Sequence, residues 1–114
     1  MRLTHDGPSL FSQELHAEAN WRWMGCGLLL PRGTQVVNQG LVDTLPKRQR
    51  GLWAVVELPG RSATTVVSWH GPNASGDGRD VKTAAFSAMS TWLAGAQHPV
   101  VLGADLNTWL TRLT

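Results

Sequence analysis

Two β-branched runs flank a proline–glycine pair at the centre of the chain, and no other stretch limits the fold so tightly. The runs are Leu52–Leu58 (LWAVVEL) and Ser62–Trp69 (SATTVVSW). Between them stand Pro59 and Gly60, in the order a type II turn requires. Proline presets φ at the first central position, and glycine supplies the positive φ at the second. Two strands joined by so short a loop form an antiparallel hairpin. Gly71–Gly78 (GPNASGDG) is a loop by composition. Beyond it Val81, Ala84, Ala85, Ala88, Met89 and Trp92 recur at the spacing of one helical face, which predicts a helix over Asp80–Leu93. Asp80 is placed to cap its first turn and Gly95 to end it. Pro99–Gly103 reads as a buried strand closed by a glycine exit turn. Strand, helix and strand then form a crossover unit, whose two strands run parallel.

Parallel strands finish on the same edge of a sheet. His70, directly after the first strand, and GADLN (103–107), around the end of the second, therefore reach one rim. In extended chain, residues two apart point the same way, so Asp105 and Asn107 face one side. Such a rim is the usual ligand position in an open α/β sheet. On spacing alone, a strand followed by an Asx-type turn is the simpler reading of Asp105 and Asn107.

The first half of the chain is less regular. Residues 1–8 form a polar loop ending in Gly7-Pro8. Ser9–Leu15 (SLFSQEL) reads as a short strand ending at Gln13-Glu14, with a helix running on through Asn20 as the competing reading. Met24–Leu30 (MGCGLLL) fits a buried strand closed by a turn at Pro31-Arg32-Gly33, and Thr34–Val37 fits another. Leu41–Gln49 is a loop or edge segment, since Pro46 breaks any ladder. If Ser9–Gln13 runs the same way as the crossover strands, Glu14 joins His70, Asp105 and Asn107 at the rim.

At 114 residues the chain makes one modest domain. No apolar run approaches membrane-spanning length, and MRLTHDGPSLF lacks the apolar core of a secretory signal. The single cysteine, Cys26, excludes an internal disulfide framework and a cysteine zinc cluster, and reads as a small buried apolar residue. These features lead us to expect a cytoplasmic protein. The net charge of +2 is compatible with a phosphate-bearing partner without requiring one. Lys47, Arg48 and Arg50 cluster either as a solvated loop or as a phosphate-contacting one. Six tryptophans and no tyrosine are spread through the chain, which suits core and rim packing, with base stacking open to one or two of them.

The constellation suggests a chemistry. One carboxylate can hold Mg²⁺, which prefers oxygen ligands and keeps waters in place. A second carboxylate with an amide can orient and deprotonate an attacking water. A histidine can hydrogen-bond a phosphate oxygen or donate to a leaving group. Together they suit metal-assisted hydrolysis of a phosphate ester.

SQEL (12–15), SWHGPNA (68–74) and GADLNTW (103–109) resemble successive motifs of the endonuclease/exonuclease/phosphatase family, the superfamily of pancreatic deoxyribonuclease and the abasic-site endonucleases. MGCGLLLPRG and RGLWAVVEL look like its strand-and-hairpin region, so the resemblance runs from about Pro8 to Trp109. It implies a mixed α/β (α+β) fold, a deoxyribonuclease I-like two-sheet β-sandwich flanked by helices. It also implies a nuclease-like phosphodiesterase using Mg²⁺ or Mn²⁺ on a phosphodiester such as DNA or RNA. By position, Glu14 matches the metal-binding glutamate and His70 the histidine that contacts the scissile phosphate. Asp105 matches the aspartate that activates the nucleophilic water, and Asn107 the asparagine that orients it. Asn73 is a weaker match to a phosphate contact. The family's opening strand with its asparagine has no counterpart before Ser9, and its closing serine-aspartate-histidine motif has none after GADLNTW; His5, His16 and His98 have no motif support. The resemblance therefore implies a partial, truncated domain over residues 1–114 that lacks the C-terminal half. Such a piece would expose sheet edges and an apolar face, and would be poorly stable or associate with itself. A second reading is a catalytically inactive relative that binds nucleic acid or protein through its basic loop.

Overall fold

The computed structural model describes residues 6–12, 25–72 and 78–106. The hairpin expected around Pro59-Gly60 is its centre. Strand β4 (Gly51–Glu57) pairs antiparallel with β5 (Ala63–His70), from Gly51 beside Trp69 to Glu57 beside Ala63. Gly60 sits at φ 72°, and the Arg61 N–H donates to the Leu58 carbonyl at 3.0 Å, the bond that closes a four-residue turn. The chain then crosses over through helix α1 (Arg79–Ala94) and returns as β6 (Val100–Asp105), parallel to β5. On the other side of β4 lies β3 (Gln35–Leu41), also antiparallel, so the sheet order is β3-β4-β5-β6. Strands β1 (Ser9–Phe11) and β2 (Gly27–Leu29) form a separate antiparallel pair. The architecture is mixed α+β, with two sheets and one α-helix among the described residues.

Alternation along the strands divides the apolar side chains between two faces. Val67 and Trp69 of β5 meet Ala85 and Met89 of α1, with Val42 and Leu45 closing the same cluster. Ala54, Val56 and Val66 point the other way, to Leu30 and to Leu10 and Leu28 of the small sheet. The helix thus packs on one face of the large sheet and β1-β2 on the other, while β6 stays largely exposed from Val101 to Asp105. No described helix is long and apolar enough to cross a membrane.

Several sequence expectations are corrected in detail. Strand β3 is longer than Thr34–Val37 and includes Leu41; a register shift between Val36 and Asn38 leaves Val37 59% exposed, which hides the strand from any periodicity. The segment expected as loop over Leu41–Gln49 ends in a 3₁₀ turn, Arg48–Arg50. Helix α1 begins one residue before Asp80. Its N-cap is Gly78, with no side-chain cap bond, so Asp80 lies in the first turn and acts there only by its charge. Gly95 does end the helix, its N–H reaching the carbonyls of Thr91 and Trp92. Gly103 is not an exit turn: β6 continues past it to Asp105 because each residue still has a partner on β5.

Candidate active site

The C-terminal ends of β5 and β6 build the site. Ser68 lies beside Gly103, Trp69 beside Ala104 and His70 beside Asp105. Lateral neighbours in a parallel pair project from the same face, so His70 and Asp105 share a side, together with Ser68 two residues back. That face is the one opposite α1, since Trp69 between them packs toward the helix. The rim is pinned by a backbone bond in which the Gly71 N–H donates to the Asp105 carbonyl at 2.7 Å.

A shallow cleft of about 360 Å³ opens here, lined by Cys26, Ser68, His70, Gly103 and Asp105 among others. Asp105 is exposed and His70 half-buried, so both meet solvent. The floor is tied to the N-terminal strand pair. Ser12, fully buried, donates its N–H to the Cys26 carbonyl at 3.0 Å and accepts from the Cys26 N–H through Oγ at 3.0 Å. The Cys26 Sγ lies 3.6 Å from the Gln49 carbonyl and donates to it. Burial pushes the thiol above its ordinary 9.0, with hydrogen bonds involving Ser12, Leu52 and Ser68 opposing that rise. At neutral pH the group is therefore a thiol, a poor nucleophile and a poor ligand for a hard cation.

Of the residues expected at the site, His70 and Asp105 are brought together. Glu14, Asn73 and Asn107 lie outside the described residues. Among the described residues no group of three histidine, cysteine or acidic side chains converges to hold a metal. Ser68 and Cys26 went unnoticed in the sequence as members of the rim. Ser68 was legible in principle, since it sits two residues before His70 on one strand. Cys26 was not, because only tertiary packing carries it there. Compared with protein-family models, curated proteins and solved structures, the chain finds no significant match.

Proposed function

We propose that this chain carries part of the active site of a metal-dependent phosphodiesterase of nuclease type, built on a deoxyribonuclease I-like sandwich. The supporting observation is the side-by-side placement of His70 and Asp105 at the ends of parallel strands. The two residues are separated by a loop, a helix and a strand, yet meet at one solvent-open cleft.

In this reading Asp105 orients the attacking water and takes its proton as the new oxygen–phosphorus bond forms. His70 donates a hydrogen bond to a non-bridging phosphate oxygen, whose charge grows in the transition state. The bond from phosphorus to the ester oxygen breaks, and that oxygen leaves protonated by water or by His70. Asn107 would steady the water and Asn73 would approach a phosphate. Glu14 would hold Mg²⁺ or Mn²⁺, which supplies positive charge at the phosphate oxygens when bound. Among the described residues the cleft offers such an ion one carboxylate, Asp105, while the Cys26 sulfur beside it is held protonated.

The direct test is hydrolysis of bis(p-nitrophenyl) phosphate by the full chain with Mg²⁺ or Mn²⁺, with and without EDTA. Metal-dependent release of nitrophenolate that Asp105→Asn abolishes is the expected result. Metal-independent turnover, or turnover indifferent to Asp105, overturns the reading.

A further inference from the structure

The two outer strands of the large sheet, β3 and β6, differ in how their free edges are guarded. β3 is broken by the register shift between Val36 and Asn38 and carries the polar Asn38 and Gln39. Bulges and polar side chains of this kind blunt an edge against further pairing. β6 has neither. Its register with β5 runs unbroken from Val100 to Asp105, and VVLGA (100–104) holds no charge and no proline. Val101 is 60% exposed and Leu102 39% exposed, an apolar pair left in water at the margin of the sheet. Among the described residues, no strand but β5 pairs with β6.

The ladder to β5 fixes which backbone groups lie on that edge. The Thr65 N–H donates to the Pro99 carbonyl at 2.8 Å, and the Gly71 N–H to the Asp105 carbonyl at 2.7 Å. In a parallel ladder, alternate residues of a strand serve the same neighbour. Pro99, Val101, Gly103 and Asp105 therefore turn their backbone polar groups toward β5, and Val100, Leu102 and Ala104 turn theirs outward. The side chains alternate between the two faces. Val100, Leu102 and Ala104 stand beside Thr65, Val67 and Trp69, on the helix side. Val101 and Gly103 stand beside Val66 and Ser68, on the side of the cleft. A Cβ at Gly103 would meet nothing within 4 Å, so a neighbour's side chain has room there.

We propose that this edge pairs with the same edge of a second copy, antiparallel, about a two-fold axis that crosses the sheet at Leu102. Such an axis keeps every side chain on its own face, so only residues of one face come opposite each other. With Leu102 against Leu102, Val100 lies opposite Ala104, and the outward N–H and C=O groups of all three exchange hydrogen bonds. Val101 of each copy lies opposite Gly103 of the other and fills the open place beside that glycine. Asp105 falls opposite Pro99, so no like charges meet. An axis at Gly103 would instead set Val101 against Asp105 and forfeit the pairing of Val100 with Ala104. The edge therefore complements itself, which makes the second copy its occupant. Both clefts open on one face of a continuous sheet, each with Val101 of the other copy at its outer wall. The contact is one strand long, small for a protein interface, so the dimer is weak and reversible. The pairing stands whether or not the cleft hydrolyses a phosphate ester.

Sedimentation velocity on the full chain, from about 1 to about 100 μM, measures the pairing. The expected result is a shift from monomer to dimer across that range, with no larger species. Leu102→Pro removes an outward N–H and spares the bonds to β5, a change that an edge strand tolerates. It should raise the dissociation constant at least about tenfold. Val101→Lys should do the same by placing a charge against Gly103 of the other copy. Val37→Lys puts that charge on the β3 edge, where Val37 is 59% exposed, and should change the constant by less than about twofold. Circular dichroism checks that each variant is folded. Should Leu102→Pro fail to fold, Val101→Lys carries the comparison from a more exposed position. A chain that is monomeric at about 100 μM overturns the pairing. So does a dimer that survives the β6 variants or is lost with Val37→Lys. Species that keep growing past the dimer also overturn it, because a two-fold pair closes on itself.

Discussion

His70 and Asp105 are lateral partners in the last register step of the parallel β5–β6 pair. Neighbours so placed stand about 4.8 Å apart between backbones and can act on one small group together. Asp105→Asn keeps the shape and loses the proton acceptor, and His70→Ala loses a donor. Each is expected to lower metal-dependent turnover by about 10²- to 10⁴-fold. If they serve one phosphate as a unit, the double variant falls little below the worse single one. Losses that multiply would mean that the two residues act on separate steps or separate groups.

Two glycines near the rim differ in what a methyl group would meet. A Cβ at Gly71 would lie 2.8 Å from the Asp105 carbonyl oxygen, a backbone atom that cannot step aside without moving Asp105. A Cβ at Gly103 meets nothing within 4 Å, although the residue sits within β6. Gly71→Ala should therefore destabilise the chain by about 1–3 kcal/mol and reduce turnover further than stability explains. Gly103→Ala should leave stability unchanged or raise it by up to about 1 kcal/mol, since alanine suits a strand better. Urea denaturation of both variants checks the contrast, and equal effects would show that the approach at Gly71 relaxes freely.

The elements that were legible in the sequence are those whose signal is local. Pro59-Gly60 between β-branched runs fixes a turn whatever surrounds it, and the spacing from Val81 to Trp92 fixes a helix. With both in place, the crossover rule alone carries His70 and Asp105 to one rim. What was hidden depended on partners far along the chain. Strand β3 exists because β4 offers it a ladder, and the polar NQG (38–40) gave no apolar alternation to read. Gly103 resembles a strand's end until Ser68 pairs beside it. In the sequence Arg48 and Arg50 look alike. Only the 3₁₀ turn, one residue short of β4, sends one to Asp43 and the other into a small cavity beside Trp69.

Two helix side chains, Ala85 and Met89, are buried against the sheet, with Phe86, Ala88, Trp92 and Leu93 packed around them. Met89 is 1% exposed and packs in the cluster of Val67 and Trp69. Ala84 shares the apolar stripe in sequence but is exposed at its margin. Met89→Ala is expected to cost about 2–5 kcal/mol from lost contacts and the cavity left behind. Ala84→Glu should stay within about 0.5 kcal/mol of the parent. Chemical denaturation measures both. A mild effect at Met89 would mean that the helix is only loosely seated on the sheet.

Cys26 gives the chain a pH dependence whose sign follows from its burial. The folded state holds the thiol's pKa above the ordinary 9.0 because desolvation disfavours the thiolate by more than the hydrogen bonds with Ser12, Leu52 and Ser68 favour it. Below pH 9 both folded and unfolded chains carry the proton, and its contribution to stability is complete. As pH rises past 9 the unfolded chain ionises first and gains free energy that the folded chain does not share, so stability falls until the folded thiol also ionises. Lysines titrate nearby in pH, and comparison with Cys26→Ala separates their contribution. Urea midpoints measured from pH 7 to pH 10 should therefore decline more steeply in the parent than in the variant. Alkylation of the native thiol by iodoacetamide should be slow at pH 7, because the half-buried group is held protonated, and should accelerate in urea as it becomes fully exposed. Parallel pH profiles for parent and variant, or rapid native alkylation, would show that the thiol is not held protonated.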